Sequence, residues 1–561
     1  MTWSKDYPCE MREGLCYRWN YAVTAQDLGA GAVDYDDNNP DNILWLTGKY
    51  LRVNAEGAGL NLWEIVLRGT DGVRIPVTLT GHTGAKNVLD TPKPPDNLID
   101  EQTTLTGEPG WFNGTYFDEI YHARTAYEHL HGLSPYETTH PPLGKLLMAA
   151  GVALFGMTPF GWRFAGALTG VLMLPALYLL VKQLTRKRGL ATFAMLLFAF
   201  DLMHFTQTRI ATIDSFPVLF IILSTLCMSR YLMADAFAVP VGAHESGKPR
   251  ALTKPFLKTL IPLALGGLFM GLSIASKWIG LYSAVGLAAM FAVAVYRQLR
   301  TGFVAFDIDL TEEMTASQRL RVLWARRLTL RRVLLTCAAC VVFFIAIPAL
   351  IYYLSYIPYL SPSGPVTVER IIKAQEGMLA YHSTPGLGMD HPFNSPWWQW
   401  PFILKPMWFC QDKFEPTGFA STIMCMGNPL IFYVGAVCMA AVFALFIGKH
   451  LRFKGGLRLR QGDGNLTLAL LVLGFLTQYL PWVLVPRSMY IYHYFASVPF
   501  IILATTVVFD LIPWPKAKKR AMIVYVALAA GFFALFYPYA SGLLTPTSWL
   551  DWLKWFPKIY Y

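Results

Sequence analysis

Ten long segments with almost no charge are the feature that most restricts how this chain can fold. Each is long enough to cross a hydrocarbon core of about 30 Å as a helix. In lipid the backbone must satisfy its own N–H and C=O groups, so such segments predict transmembrane helices. The predicted spans are 163–183, 189–207, 214–234, 259–276, 279–296, 333–356, 429–448, 466–485, 490–512 and 521–539. A shorter run, 143–156, is interpreted as a lead-in to the first span.

The composition points to a membrane protein. The 561 residues are 54% hydrophobic and 15% charged, whereas soluble domains contain about 25% charged residues. The net charge of +11 raises the question of nucleic-acid binding. Most Lys and Arg residues, however, lie in short clusters between apolar segments, as topology signals do. This pattern disfavours nucleic-acid binding and makes the lipid bilayer the expected partner.

The basic clusters predict which side of the membrane each loop occupies. They lie at 186–188, 248–258, 297–332, 449–460 and 516–520, which are alternate loops. All five therefore share one face, and the positive-inside rule makes that face cytoplasmic. Residues 1–162, the loop 357–428 and the C-terminal tail are then extracytoplasmic. No apolar run precedes residue 143, so we expect a missing first helix that would bring the count to eleven.

The N-terminal segment has a different character from the rest of the chain. Short β-favouring runs alternate with Gly, Asn and Asp turns over 20–105, which predicts a small β-rich extracytoplasmic module. It is either a carbohydrate-binding unit or a structural cap. The cysteine pairs Cys9/Cys16 and Cys410/Cys425 are either disulfides of an oxidising compartment or free thiols.

Two polar motifs come before the first predicted span. Asp118 and Glu119 are adjacent carboxylates, which suit a base beside an orienting acid because neighbouring negative charges separate their pKa values. On most surfaces such a pair is simply solvated. His140 opens the string HPPLGK at 140–145, and it either contacts a phosphate or hydroxyl group or serves as an interfacial turn residue.

Ionisable residues at span ends form a second group of candidates. Charges at membrane depth are costly and usually functional, although long side chains can also extend to the interface. The predicted topology brings all of them to the extracytoplasmic face, where the cations could bind a lipid-linked phosphate. These residues are Arg163, Asp214, Lys277, Arg487 and His493.

The extracytoplasmic loop 357–428 adds His391 and the string SPWWQWP at 395–401. Trp397 and Trp398 within that string are typical of residues that anchor a protein in the headgroup layer. Tryptophan rings also stack on the apolar faces of sugars, so the loop is also a candidate for substrate binding.

The motifs in this order resemble those of the protein O-mannosyltransferases, which use dolichyl or polyprenyl phosphate mannose and have the GT-C architecture. The resemblance covers roughly residues 112–515. It implies an all-α polytopic membrane protein that carries the β-rich module described above. The matching strings are FDE at 117–119, HPPLGK at 140–145, WR at 162–163, IDS at 213–215, SKW at 276–278, SPWWQWP at 395–401, GNP at 427–429, and residues 487–494.

The resemblance also implies a reaction. Mannose would pass from polyprenyl phosphate mannose to Ser or Thr hydroxyls of exported proteins, with inversion, at the extracytoplasmic face of the cell membrane. It implies that Asp118 is the catalytic base and that Glu119 positions the acceptor or the base. It also implies substrate contacts for nine residues, of which the three cations would contact phosphate. The nine are His140, Arg163, Asp214, Lys277, His391, Trp397, Trp398, Arg487 and His493.

Several alternatives stay open at this stage. A GT-C relative could transfer another lipid-linked sugar to lipid or glycan, whereas a transporter would show internal repeats that we do not see. The loop 357–428 is too short for the MIR domain of eukaryotic members, which indicates a bacterial-type enzyme. A divalent cation is expected only if the fold brings Asp118, Glu119 and Asp214 together. The predicted domains are 1–110, 111–356, 357–428 and 429–561.

Overall fold

The structure is a computed structural model of the chain. It describes residues 110–234, 236–237, 252–302, 314–412, 416–452, 458–459, 466–557 and 559, together with short stretches at 11–12, 15–16, 67–68, 73–79 and 99. These residues form two compact units. One comprises Met1–Gly114 with Gln411–Ala420, and the other comprises Thr115–Cys410 with Ser421–Tyr561.

The second unit is built from helices, and most of them are long and apolar. Those before the 357–428 loop are α1 Glu119–Leu130, α2 Leu143–Phe155, α3 Pro159–Thr185, α4 Arg188–Ala199, α5 Leu202–Arg209, α6 Ser215–Leu232, α7 Lys254–Ser276, α8 Ile279–Gly302, α9 Ala316–Val341, α10 Ile347–Ser355 and α11 Ile357–Leu360. A π-turn, Val342–Ala346, joins α9 to α10. The later helices are α12 Val368–Ser383, α13 Pro429–His450, α14 Leu466–Tyr479, α15 Val498–Asp510, α16 Pro515–Ser541 and α17 Thr547–Trp552. Single 3₁₀ turns occupy Trp397–Phe402, Leu480–Leu484 and Ile491–Ser497.

Nine of the ten predicted spans are confirmed within the described part of the chain, because nine helical segments there are long and apolar enough to cross a membrane. The tenth, predicted at 189–207, falls on α4 and α5, which pass the same test only when taken together as one broken span. These two helices meet at an angle of 61°. Asp201 stands at the bend, where its buried carboxylate accepts hydrogen bonds from the backbone N–H groups of His204 and Asn428. The polar bend is thus satisfied internally, as membrane burial requires.

Burial distinguishes the centre of the helical unit from its rim. The apolar windows of Ser215–Leu232 and Ile491–Asp510 are each 83% buried, whereas the window within Ala316–Ser363 is only 11% buried. Rim helices therefore leave apolar side chains exposed, as lipid-facing helices do.

Contacts at one end of the helical unit agree with the prediction that the basic loops share one face. Lys187 and Lys518 both bind the Asp510 carboxylate, at 2.7 and 2.8 Å, which joins two of the predicted cytoplasmic loops. Arg332 donates to the Thr253 hydroxyl and joins two more. We call this the basic end. Because α3 and α6 run toward the basic end and α7 runs away from it, the beginnings of α3 and α6 and the last residues of α7 lie at the opposite end.

The strands are short. In the N-terminal unit β1 Met11–Arg12 pairs antiparallel with β2 Leu15–Cys16, and β3 Leu67–Arg68 pairs antiparallel with β4 Arg74–Ile75, with Leu67 opposite Ile75. The rest of the predicted β-rich module lies outside the described residues. The remaining strands are β5 Met407–Gln411, β6 Phe419–Ala420, β7 Thr422–Cys425, β8 Leu451–Arg452, β9 Arg458–Leu459 and β10 Thr545–Pro546. Among them β5 pairs with β7, and β8 pairs antiparallel with β9.

Candidate active site

Asp118 is the N-terminal residue of the short turn that begins α1. Its backbone oxygen accepts hydrogen bonds from Tyr121 and His122, but its side chain makes no capping hydrogen bond. Within the part of the chain that the structure describes, the carboxylate has no ion-pair or hydrogen-bond partner. Burial raises the pKa of Asp118 to about 7, the neighbouring Asp214 carboxylate adds to the rise, and Lys277 opposes it. A carboxylate in this state can accept a proton near neutral pH.

The backbone before Asp118 is strained. Phe117 has a φ of 52°, in the left-handed region that residues other than glycine rarely adopt. Its ring stacks on Phe409 with centroids 4.4 Å apart and meets the edge of Tyr492 at 6.2 Å. These aromatic contacts hold Phe117 in place and therefore fix the position of the next residue, Asp118. Backbone strain of this kind is common at functional sites.

Glu119 is wholly buried, and its environment differs completely from that of Asp118. Its carboxylate accepts two hydrogen bonds from the Arg163 guanidinium, both at 2.8 Å. It accepts two more from the backbone N–H groups of Ala211 and Tyr116. The carboxylate is therefore fully engaged, and it ties the start of α1 to α3 and to the loop before α6. In this geometry Glu119 is a positioning residue, since it has no lone pair directed at an open space.

A second ion pair lies close to Asp118. Lys277 donates to Asp214 at 2.7 Å, and both residues are buried. Asp214 precedes α6, whereas Lys277 stands in extended conformation where α7 ends and α8 begins two residues later. The break between two spans thus places an ammonium group at the end of the bundle opposite the basic end. Both charged groups act electrostatically on Asp118.

A third ion pair supports the loop that contains His140. The fully buried Lys145 binds the Glu137 carboxylate and also donates to the backbone oxygens of Glu137 and His140, each at 3.0 Å. Burial by itself would raise the pKa of Glu137, but Lys145 outweighs this effect and lowers it to about 2. The pair is therefore ionised at neutral pH. It fixes the turn that leads into α2.

His140 itself packs against other aromatic rings. Its ring stacks on His382 with centroids 4.9 Å apart, and His382 in turn lies 6.0 Å from the ring of Trp278. His382 Nε2 is 2.8 Å from the Thr139 carbonyl oxygen. Burial lowers the pKa of both imidazoles, that of His382 to about 4, and nearby cations act in the same direction. Both histidines are therefore neutral at pH 7.

Arg487 differs from the other two predicted phosphate-binding cations. Arg163 and Lys277 each face a carboxylate, but in the described part of the chain no carboxylate lies within ion-pair distance of Arg487. Its buried Nε has no hydrogen-bond partner among the described residues, and its guanidinium lies 6.0 Å from the ring of Tyr381. A buried donor without a partner is costly and indicates a site for an acceptor. Arg487 thus presents a cation that is available to an anion.

Tyrosines connect the neighbourhood of Arg487 to that of Asp118. The Tyr490 hydroxyl donates to the hydroxyl of Ser488, the residue after Arg487, at 3.2 Å, and the Tyr492 ring meets the edge of Phe117, the residue before Asp118, at 6.2 Å. Tyr490 and Tyr492 stack with centroids 5.6 Å apart. His493 follows them, with its ring 4.6 Å from Tyr492 and its Nδ1 accepting from the Tyr490 backbone N–H at 3.0 Å. The string 487–494 therefore connects Arg487 with the residue before Asp118 through contacts between tyrosines.

The three candidate substrate-binding residues of the loop 357–428 differ in their surroundings. His391 contacts the ring of Tyr490 at 5.1 Å and so lies beside this group. Trp397 packs against Tyr479 at 5.4 Å, and Trp398 is 49% exposed. No contact is found between either tryptophan and Asp118, Lys277 or Arg487 among the described residues. Trp400, which the sequence did not single out, is wholly buried and packs against His493 at 6.0 Å.

Two family models match the chain that carries this arrangement. One, described as dolichyl-phosphate-mannose-protein mannosyltransferase, matches residues 108–358. The other, described as the C-terminal four TMM region of protein-O-mannosyltransferase, matches residues 367–559. Between 108 and 559 they leave only a short segment unmatched, so they cover both halves of the helical unit. The chain belongs to the protein O-mannosyltransferase family. The resemblance that the sequence motifs indicated is confirmed.

Individual relatives agree with the family models. The chain is 25% identical over 490 residues to a polyprenol-phosphate-mannose–protein mannosyltransferase of Mycolicibacterium smegmatis, covering 79% of this chain and 87% of that one. It is also 25% identical over 480 residues to the protein of that name from Mycobacterium tuberculosis, covering 78% and 84%. The solved Saccharomyces cerevisiae protein O-mannosyltransferase Pmt1-Pmt2 complex bound to the sugar donor is similar in fold, with a TM-score of 0.63. That match has 12% identity and covers 80% of this chain and 90% of that chain.

The arrangement of this O-mannosyltransferase bears on the predicted metal site. No group of three His, Cys, Asp or Glu side chains is placed to hold a metal ion among the described residues. Of the three carboxylates considered, Glu119 is committed to Arg163, and Asp214 binds Lys277. Cys425 is a buried free thiol, so the disulfide alternative for Cys410/Cys425 is wrong. The Cys9/Cys16 pair lies outside the described side chains.

Sequence reasoning missed several residues of the site. His122 is buried beside the ion pairs, and its Nδ1 has no partner among the described residues. Glu137, His382 and Tyr492 also belong to the group but were not chosen as candidates. The only signal for Tyr492 was its place within the string 487–494. No sequence signal distinguished Glu137, because its partner Lys145 was read only as part of the HPPLGK string.

Proposed function

We propose that this chain transfers mannose from polyprenyl phosphate mannose to Ser or Thr hydroxyls of exported proteins, with inversion at the anomeric carbon. The family assignment and the names of the mycobacterial relatives support the donor and the acceptor class. The basic loops support an active site at the extracytoplasmic face of the cell membrane.

The observation that carries the proposal is the distribution of charge at the site. Three cations, Arg163, Lys277 and Lys145, are each bound to a carboxylate. Two further charged groups near these pairs, the Asp118 carboxylate and the Arg487 guanidinium, have no ion-pair partner among the described residues. Such a transfer requires a carboxylate that can accept a proton and a cation that can bind phosphate, and Asp118 and Arg487 are available for these two tasks.

Asp118 acts as the base in this proposal. It takes the proton from the acceptor hydroxyl while the hydroxyl oxygen forms a bond to C1 of mannose. The bond between C1 and the phosphate oxygen breaks at the same time, and its electron pair leaves with the polyprenyl phosphate. Attack opposite to the leaving group inverts the anomeric carbon. A pKa near 7 leaves a substantial fraction of Asp118 in the basic form at neutral pH.

Arg487 stabilises the leaving phosphate. Negative charge grows on the bridging oxygen as the sugar departs, and a fixed cation in a partly dry site lowers the energy of that state. Arg163 and Lys277 would first have to give up a carboxylate partner, so we assign them to positioning Glu119 and Asp214. Neutral His140 can exchange hydrogen bonds with sugar hydroxyls without adding charge, and His493 is a second candidate for such a contact. Phosphate needs little protonation to leave, so one carboxylate suffices, unlike in the two-carboxylate glycosidases.

The proposal is tested with purified protein in detergent, polyprenyl phosphate mannose labelled in the sugar, and a Ser/Thr-containing peptide. We expect labelled peptide whose mannose has the opposite anomeric configuration to the donor, as determined by NMR. The Asp118→Asn variant should lose turnover, whereas Glu369→Gln, which removes an exposed carboxylate on α12, should keep it. Retention of the donor configuration, or full turnover by Asp118→Asn, would contradict the mechanism. Transfer only from another lipid-linked sugar would contradict the substrate assignment.

A further inference from the structure

A separate cavity lies near the basic end of the helical unit, at the opposite ends of α3 and α6 from Arg163 and Asp214. It has a volume of about 250 Å³ and lies where α3 and α6 end. Five residues line it, and three of them are cationic: Leu179, Lys182, Gln183, Arg186 and Arg230. The two helices pack against each other, so both contribute to one fixed wall.

The charge of this cavity is unbalanced. Lys182, Arg186 and Arg230 converge on it, and none of the described residues that line it is acidic. Elsewhere in the described chain, basic side chains such as Lys187 and Lys518 share a carboxylate, but these three have no ion pair among the described residues. Like charges around one cavity repel one another, and a bound anion would relieve that repulsion. The geometry therefore favours an anionic occupant.

The surface leading into the cavity is apolar. Leu168, Val171, Leu172 and Leu179 are 44%, 63%, 46% and 40% exposed, and they occupy one face of α3 at helical spacing. On a span this face lies against lipid tails. From Leu168 to Leu179 the stripe extends for about 16 Å along the helix, and it ends at the cationic cavity. A molecule with an anionic head and an apolar chain would fit both parts at once.

We infer that this cavity, lined by Lys182, Arg186 and Arg230, is a binding site for the phosphate headgroup of an anionic phospholipid. Its acyl chain lies along the exposed face of α3, and its headgroup sits among the three cations. Because the basic end is predicted to be cytoplasmic, the lipid belongs to the inner leaflet, where anionic lipids attract basic residues at span ends. The site lies at the opposite ends of α3 and α6 from Arg163 and Asp214.

The inference is tested by native mass spectrometry of the detergent-purified protein, titrated separately with phosphatidylglycerol and phosphatidylcholine of identical acyl chains. We expect one molecule of phosphatidylglycerol to be retained more tightly than phosphatidylcholine. Each basic residue near an anionic headgroup contributes about a fivefold gain in binding. The triple variant Lys182→Gln, Arg186→Gln, Arg230→Gln should therefore weaken phosphatidylglycerol binding by about 100-fold.

A matched control separates a defined site from general surface charge. Lys516, Lys519 and Arg520 are exposed residues at the start of α16, near the basic end. Their triple Gln variant removes the same charge from the same end and should bind phosphatidylglycerol as the unaltered protein does. Equal weakening in both triple variants, or equal retention of the two lipids by the unaltered protein, would overturn the inference. Displacement of the lipid by millimolar inorganic phosphate would also overturn it, because a free anion would then be the better occupant.

Discussion

Asp118 and Glu119 are adjacent in the sequence, but replacing each by its uncharged amide should affect different properties. Glu119→Gln should lower stability, whereas Asp118→Asn should lower turnover. Glu119 is wholly buried and holds Arg163 through two hydrogen bonds of 2.8 Å. The Glu119→Gln change leaves the guanidinium, whose side chain is only 15% exposed, without a countercharge. Breaking a buried pair by removing one partner typically costs about 3–5 kcal/mol. We therefore expect the free energy of unfolding to fall by about that amount.

Asp118 has no partner to lose. Its raised pKa shows that burial disfavours its charged form, so the neutral and isosteric Asn should leave the free energy of unfolding unchanged or slightly higher. A general base contributes about 10²- to 10⁴-fold to a reaction. The Asp118→Asn variant should lose turnover by that factor while keeping its melting temperature.

Both variants are compared by thermal and chemical denaturation in detergent and by mannosyl transfer to a peptide. The double variant Glu119→Gln, Arg163→Met is the control, because removing both charges of a buried pair usually restores much of the lost stability. Recovery of stability by the double variant would identify the unpaired guanidinium as the cause. If Glu119→Gln were as stable as the unaltered protein, or if Asp118→Asn melted at a much lower temperature, the assignment of these two roles would be refuted.

Four further predictions concern the surroundings of these two residues. The pKa of Asp118 is raised to about 7, and the base acts when it is deprotonated. We therefore expect kcat/KM to fall tenfold per pH unit below pH 7 and to level off above it. A flat profile of kcat/KM from pH 5.5 to 8 would exclude this base. Arg487→Gln removes a charge-assisted contact to the leaving phosphate worth about 1.5–3 kcal/mol, so kcat/KM for the donor should fall roughly 10- to 150-fold. An unchanged kcat/KM for the donor would argue against a phosphate contact. Trp398→Ala, at a 49% exposed position, should change turnover less than about twofold; a large loss in steady-state assays would place Trp398 at the substrate. Lys145→Met should lower the free energy of unfolding by about 3–5 kcal/mol by stranding Glu137, and unchanged chemical denaturation would show that this pair is dispensable.

Some charged residues of the site form ion pairs and others do not. This difference explains why a single carboxylate can act as the base in the proposed reaction. The Glu119–Arg163 and Asp214–Lys277 pairs join elements that are 44 and 63 residues apart, the Glu137–Lys145 pair fixes a local turn, and each pair buries its own charge. The pairs therefore act as a rigid, nearly neutral frame. Asp118 and Arg487 stand within this frame without partners, so their charges are available to the substrates.

Local sequence located the spans and predicted their sidedness. Span length is set by the thickness of the hydrocarbon core, and backbone hydrogen bonds within a helix are local, so apolar runs suffice to locate each span. Alternate basic loops then assigned the ends, and the link from Lys187 to Lys518 through Asp510 agrees with that assignment. The bend between α4 and α5 was not predicted, because it depends on Asn428 donating to Asp201 from 227 residues away.

Only the tertiary structure decided what each charged residue does. Adjacent in sequence, Asp118 and Glu119 looked like one catalytic pair. The fold instead gives Glu119 to Arg163, 44 residues away, and gives Asp214 to Lys277, 63 residues away. Sequence could place these groups at one end of the bundle, since that depends on span direction alone. Which carboxylate meets which cation depends on side-chain packing between helices, over distances of a few ångströms that no local pattern encodes. That packing leaves Asp118 and Arg487 without ion-pair partners among the described residues, and for this reason we propose them as the groups that act on the substrates.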